Sequence, residues 1–452
     1  MSGAPGIFFD QSLPTLLKNI SKQFSPEMLE QGLIVRDSSG RLRFLTSEAS
    51  PTDEVRAKIE EKLGAELGAY VRADSVIAFG DEPGVRMLLK DPAAFPMQQD
   101  SFNFRLLDRR IVGPAWVDPP QEETAWPPRI VFASIKGGVG RSTALAVTAS
   151  DLARRNRNIL VVDLDLEAPG LGDMLLDDER MPRFGTVDYL VENGLGGVPD
   201  QSLADFVGTS ALTTAGGGRV DVVPALGKSA ADYPYDTLPK ISRAMIEDIE
   251  PDGASISVTV QIADMLKRFT GRDTYDVVLI DSRAGLSELA APTILGLGAK
   301  VLLFGTAQRQ TVQGYAALFA ALKLLAQRDR AVGLRAEWRL QFKAVHAKAS
   351  LDAWTAARYR DDLYELFADN LYDADDIQQA NADAVTFDID DENGPHWPLI
   401  IPFTQNLIDF DPVQAPSQLS IAFYEQAYRP FLNGIDSIIA SSGVAPQESE
   451  NE

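Results

Sequence analysis

Short apolar runs without polar alternation recur at residues 130–135, 159–162, 277–280 and 301–304, with weaker ones at 220–223 and 399–401. A strand with one wet face alternates; a strand buried on both faces does not, and such strands belong to parallel sheets covered by helices. Helical patterns separate many of the runs, and after the first of them Leu145, Ala149 and Leu152 mark one helix face. The expected fold class is α/β, a mostly parallel sheet with helices on both faces.

The chain has 452 residues, too many for one ordinary domain. Residues 1–112 are read as a small mixed α/β domain. In it Ser38-Ser39-Gly40 joins two strand-like stretches as a hairpin, and Ser50-Pro51 opens a helix through Leu67 with Val55, Ile59, Leu63 and Leu67 on one face. A strand is expected over 69–79. Nothing here has a chemical signature, so an accessory role is assigned. Residues 113–128 are Pro-rich and patternless, which marks a linker, because Pro interrupts both helix and sheet. The main domain is placed at 129–440, and the polar, acidic residues 441–452 are read as a disordered tail.

The first apolar run feeds Lys136-Gly137-Gly138-Val139-Gly140-Arg141-Ser142-Thr143, and an amphipathic helix follows. Glycines let successive backbone N–H groups converge without Cβ obstruction, and a helix N-terminus adds about half a positive charge. Gly137, Gly138, Val139, Gly140, Arg141, Ser142 and Thr143 therefore form an expected nest for a polyphosphate, with the Ser142 hydroxyl placed for Mg²⁺.

These residues resemble the deviant Walker A motif of the ParA/MinD partition and division-site ATPases, Lys-Gly-Gly-x-Gly-Lys-Ser/Thr. The resemblance implies ATP and Mg²⁺ as ligands and a homodimer with nucleotide sandwiched in it. Lys136 matches the lysine that reaches across such a dimer to the partner's phosphates. Arg141 stands where the family has the lysine of the β- and γ-phosphates; a planar guanidinium is no conservative exchange for an ammonium, and hydrolysis depends on what it does.

Further segments are similar in the same order. Asp163-Leu-Asp165 resembles switch I, which implies that Asp165 aligns the attacking water and Asp163 lies near Mg²⁺. The run ending in Asp281-Ser-Arg-Ala-Gly285 resembles Walker B entering switch II, with Asp281 holding a Mg²⁺-bound water. The strand and Thr306 loop at 301–308 resemble the segment after switch II, and Pro402 and Phe403 resemble the proline loop beside the adenine. The strand at 342–347 lacks the family's base-contacting Asn, and its His346 is read as a packed histidine. The stretch between Asp165 and Asp281 is long for the family, and residues 227–255, rich in Pro, Tyr and Asp, are read as an insertion.

Composition narrows the outputs. There is no Cys and only two His, which excludes disulfides, thiol catalysis and Cys- or multi-His metal sites. In residues 388–399, Asn393 and Leu399 stand where a calcium loop needs Gly and Glu. The formal charge of −23 argues against nucleic acid and anionic lipid. The last helical stretch, 419–439, holds Arg429 as its only basic residue, unlike a membrane-surface helix. No Tyr follows Tyr428, unlike the tails of related tyrosine autokinases. The start lacks a signal-peptide pattern and no run approaches a bilayer-spanning length, so a cytoplasmic protein is expected.

Protein contact through residues 1–112 or 227–255 remains. The expected function is a slowly hydrolysing, dimeric ATP switch that signals to a protein partner. The alternatives are a non-hydrolysing nucleotide-binding scaffold, for example in an antiphage or stress system, and a DNA-partition ATPase.

Overall fold

The computed structural model describes residues 6–72, 75–124, 126–213, 217–249, 253, 255–373 and 384–442. The residues read as an acidic tail lie, from 443 onward, outside that set. The chain divides into two compact units, Met1–Pro114 with Leu324–Ala336, and Ala115–Lys323 with Glu337–Glu452.

The first unit holds a five-stranded mixed sheet of β1 (Leu33–Arg36), β2 (Leu42–Leu45), β3 (Ile77–Ala78), β4 (Phe95–Gln99) and β5 (Phe102–Asp108), in the order β3-β2-β1-β5-β4. The β1–β2 hairpin pairs Leu33 with Leu45, and Gly40 in its turn has φ 88°, the left-handed region that glycine enters without a Cβ penalty. Helices Phe9–Gln23 and Pro26–Gln31 have no counterpart in the sequence reading. Ser25-Pro26 signals the second of them: Ser25 accepts the Met28 N–H, and proline suits the first helical position.

Two expectations here need correction. Helix Asp53–Leu67 buries Leu63 and Leu67, but Val55 is exposed, so the buried stripe is confined to the later turns. The strand expected over 69–79 shrinks to Ile77–Ala78. Gly68–Tyr70 forms a helical turn, and the backbone meets the edge of β2 where Phe44 N–H donates to Val76 O and Thr46 N–H to Ala78 O.

The second unit is built on an eight-stranded sheet of β6 (Arg129–Ser134), β7 (Asn158–Asp163), β8 (Gly208–Thr209), β9 (Arg219–Val223), β12 (Val277–Asp281), β13 (Lys300–Gly305), β14 (Phe342–Ala349) and β15 (Leu399–Pro402). β10 (Asp248–Ile249) pairs antiparallel with β11 (Ser255–Ile256) in a separate two-stranded sheet. The order is β15-β14-β13-β6-β12-β7-β9-β8, parallel throughout except for β8. Each apolar run of the sequence falls in a strand of this sheet, and β12 is buried at every position, as strands covered on both faces must be.

Helix Arg141–Arg154 and the last helix, Ile421–Ser441, cover one face. There Phe132, Phe304 and Phe431 contact one another at ring-centroid distances of 5.7, 6.0 and 6.5 Å. Helix Ala290–Leu295, buried along its whole length, packs against β6. The Arg141–Arg154 helix is buried on all sides from Ala144 to Ala153, not on one stripe, because its many alanines permit close approach from every direction. The last helix spends its apolar face, Tyr424 to Ile435, on the core. Among the described residues no helix is long and apolar enough to cross a membrane.

Candidate functional site

β6 lies between β12 and β13, and the chain proceeds from β6 to β7 on one side and from β12 to β13 on the other. At such a reversal the loops leaving the C-terminal strand ends diverge and open a crevice. The glycine loop sits there. Gly138 and Gly140 have φ of 73° and 90°. An added Cβ at Gly137, Gly138 or Gly140 would meet no protein atom within 4 Å. Gly137 has an ordinary φ as well, so nothing in the protein itself demands glycine there; a ligand occupying that space would. The helix that follows has Gly140 as N-cap and no side-chain cap, leaving its first N–H groups to an outside acceptor.

Behind the loop the charged side chains form one chain of contacts. The Ser142 hydroxyl donates to Asp281 Oδ2 at 2.5 Å. Arg141, 7% exposed, turns inward: Nε donates to Asp281 Oδ1, Nη2 to Asp165 Oδ2 at 2.9 Å and Nη1 to Ser134 Oγ at 3.3 Å. Arg283 Nη1 holds the other Asp165 oxygen at 3.0 Å, and its Nε pairs with Glu167 at 2.9 Å. The sequence reading made Arg141 a phosphate ligand and Asp165 a water-aligning carboxylate. Here Arg141 is the counter-ion of Asp281 and Asp165, and both Asp165 oxygens are taken.

Burial by itself would lower the Arg141 pKa, but the Asp281 and Asp165 carboxylates more than reverse this and it rises. Burial raises the Asp281 carboxyl, opposed by Arg141 and Ser142. Asp163 is the register partner of Asp281 on the adjacent strand. It accepts backbone N–H groups from Asp165 at 3.0 Å, Leu171 at 3.3 Å and Gly170 at 3.5 Å. Burial, with the nearby Asp281 charge, pushes it up to about 7.

Lys136 Nζ donates to Gln310 Oε1, on the helix after β13. Pro402 and Phe403 line a cavity of about 260 Å³ together with Gly138, Gly140, Thr143 and Lys348. The structure thus brings the proline loop beside the glycine loop. Lys348, which the sequence reading passed over, has φ 50° and donates from Nζ to Gly138 O at 2.7 Å. No sequence signal marks it, since the contact crosses from one strand end to another. Arg283 falls in the segment that resembles switch II, and that resemblance implies no role for it. His346 is buried against Tyr359, as a packed histidine. Thr306 and Thr311 approach within 3.4 Å through their hydroxyls.

The donors suit a magnesium nucleotide. Ser142 and Asp281 offer hard oxygens at one point, and among the described residues no group of three His, Cys, Asp or Glu could hold a metal unaided. Mg²⁺ is typically held in that way, by one or two protein oxygens with waters and phosphates completing the octahedron.

Sheet order, crevice and glycine loop together define an α/β phosphate-loop protein. The CobQ/CobB/MinD/ParA nucleotide-binding domain matches residues 130–385. The chain belongs to that family. Its fold is similar to that of the MinD cell division protein of Aquifex aeolicus (15% identity, 69% of this chain and 97% of that one, TM-score 0.40). It is also similar to a ParA family ATPase from Chlorobium tepidum TLS (15% identity, 68% and 98%, TM-score 0.42) and to the Pyrococcus furiosus cell division ATPase MinD (17%, 69% and 99%, 0.40). No curated protein matches the chain.

Proposed function

We propose that this chain is a magnesium- and ATP-dependent molecular switch of the deviant Walker A kind, which closes as a homodimer over nucleotide and reports its state to a protein partner. The observation that carries the reading is the uncapped glycine loop with open space at Gly137, Gly138 and Gly140, set beside the Ser142–Asp281 pair. Backbone N–H groups of the loop would bind phosphate oxygens, Ser142 and Asp281 would hold Mg²⁺, and Pro402 and Phe403 would flank the base. Lys136, at the protein surface and hydrogen-bonded to Gln310, would extend toward a second protomer. Catalysis would be positional and electrostatic.

The partner surface is proposed in residues 227–255 or in 1–112. Tyr235, Leu238 and Ile249 in the former are 94%, 75% and 77% exposed, and Met87, Ile111 and Val112 in the latter 75%, 80% and 71%. Calorimetric titration of the purified protein with ATP and Mg²⁺, followed by phosphate-release assays on the wild type and on Lys136→Ala, tests the proposal. Absence of ATP uptake would overturn it.

A non-hydrolysing nucleotide scaffold is the second reading, and the full engagement of Asp165 by Arg141 and Arg283 favours it. ATP uptake without phosphate release, alone or with partner, would select it over the switch. Domain roles follow the same proposal: residues 1–112 as accessory unit, 129–440 as nucleotide domain.

A further inference from the structure

His396 is fully buried, and both of its ring nitrogens are engaged. Nε2 lies 3.2 Å from Ile389 O, and Nδ1 lies 2.7 Å from the Tyr372 hydroxyl. A carbonyl oxygen only accepts, so Nε2 carries the ring hydrogen; Nδ1 is then the acceptor, and the Tyr372 hydroxyl donates to it. The same hydroxyl accepts the His396 backbone N–H at 3.3 Å. An added Cβ at Gly394 would stand 2.6 Å from His396 Cε1, so the ring fills the inside of its own loop. The neutral imidazole therefore ties residues 389–396 to the turn that follows helix Ala353–Asn370.

The surroundings of the ring oppose a charge on it. Lys343 of β14 donates from Nζ to Gly394 O at 2.9 Å, and Arg360 of helix Ala353–Asn370 lies 4.9 Å over the Trp397 ring centre. Tyr364 and Tyr372 present rings at centroid distances of 4.9 and 5.8 Å. Burial, with the Lys343 and Arg360 charges, holds the His396 pKa below its ordinary 6.5, against the Ile389 carbonyl and Asp391 of its own loop. Ala344 N–H of β14 donates to Pro395 O at 2.9 Å and fixes the same segment from the sheet side. The segment leads into β15, which pairs with β14 at the edge of the sheet. β15 in turn ends at Pro402 and Phe403, in the cavity beside the glycine loop.

We propose that His396 is a proton-operated latch on the proline loop: the neutral ring holds residues 389–397 against β14, and a proton from water, taken up at Nδ1, releases them and loosens the seat of Pro402 and Phe403. Protonation turns Nδ1 from acceptor into donor. Its new N–H faces the oxygen of Tyr372, whose hydroxyl proton has to turn away, and a positive charge stands in the interior near Lys343 and Arg360. Opening the loop to water removes that penalty, and it breaks the Gly394 and Pro395 carbonyl contacts with β14. β15 has a partner strand on one side, so its register depends on the chain that delivers it. His396 is thus a positioning residue, acting on the cavity through β15 without touching it. The latch follows from these contacts, and its effect on ligand rests on the nucleotide reading above.

The test uses the full-length chain, whose only histidines are His346 and His396. In histidine-labelled protein the imidazole carbon resonances are followed by NMR from pH 8 to pH 5, with His346→Gln assigning the pair. Amide exchange of residues 389–397, corrected for the intrinsic rate, is measured over the same range. The His396 resonance should titrate below 6.5, and protection of 389–397 should fall in step with it. Tyr372→Phe removes the hydrogen bond that favours the neutral ring and should move the titration upward. His396→Asn takes up no proton, so its protection should be independent of pH. Between pH 7 and pH 5, MgATP affinity should fall about threefold or more in wild type relative to His396→Asn, as the latched fraction declines. Should His396→Asn fold poorly, Tyr372→Phe serves, its affinity falling at a higher pH than that of wild type. Titration at or above 6.5, or protection that stays constant while His396 takes up its proton, overturns the latch. A latch that opens with no difference in MgATP affinity between wild type and variant overturns its coupling to the proline loop. Failure of wild type to bind ATP at pH 7 overturns the nucleotide reading, while resonance and exchange still decide the latch.

Discussion

Ser142 Oγ and Asp281 Oδ2 lie 2.5 Å apart although 139 residues separate them in the chain. One belongs to the first turn after the glycine loop, the other to the tip of a buried strand whose register places it beside Phe132 of β6. Two hard oxygens held at one point are the minimal protein contribution to a magnesium site that phosphate completes. Ser142→Ala and Asp281→Asn should each weaken ATP binding about tenfold or more, roughly 1.4 kcal/mol, when Mg²⁺ is present. With chelator in place of Mg²⁺, Ser142→Ala should bind like wild type. Titration calorimetry in both buffers distinguishes a metal ligand from a general defect.

The glycines of the loop should separate by mechanism. Gly140 has φ 90°, so Gly140→Ala should cost about 1–2 kcal/mol of stability in denaturant unfolding without nucleotide. Gly137 has an ordinary φ and open space around a Cβ. Gly137→Ala should therefore unfold like wild type and yet lose ATP affinity, because only the ligand competes for that volume.

Arg141 is buried between two carboxylates. Removing one partner of a buried ion pair leaves an uncompensated charge, at a cost of about 3–5 kcal/mol. Arg141→Met should accordingly destabilise the nucleotide-free protein by an amount of that order, and Arg141→Lys by less. Urea unfolding monitored by circular dichroism reads this directly.

Asp163 titrates up to about 7 because burial penalises its charged form. A carboxyl whose folded pKa lies above its unfolded value near 3.8 favours the folded state while protonated, and that contribution fades as pH climbs through the folded pKa. Stability from this group should thus decline between pH 4 and 7 and stay level above. Asp163→Asn should remove the decline, so that the variant gains on wild type at pH 8 relative to pH 5 in paired urea melts.

Tyr235 and Leu238 are largely exposed on helix Pro234–Ala244, of which only Ala244 is buried. Replacing both with Ser should change stability by no more than about 0.5 kcal/mol. The same double variant should lose partner capture in an affinity pull-down from which wild type recovers a protein. Retained capture would shift the contact away from 227–255.

The apolar runs, the glycine loop and the carboxylates at the ends of β7 and β12 were legible from the sequence because each rests on a local rule. A strand covered on both faces needs an unbroken apolar run, and a phosphate nest needs successive residues without Cβ. The extent of the first unit was not legible. Leu324–Ala336 groups with residues more than two hundred positions earlier, and the short β3 exists only because the edge of β2 is there to pair with. Nor could the sequence say where Arg141 points. A long guanidinium has several orientations open to it from the same backbone position, and the choice among them is made by Asp165, Asp281 and Ser134, which only the assembled sheet brings within reach. Local spacing thus determined what the loop is built to hold; long-range pairing of charges decided which side chains are free to hold it.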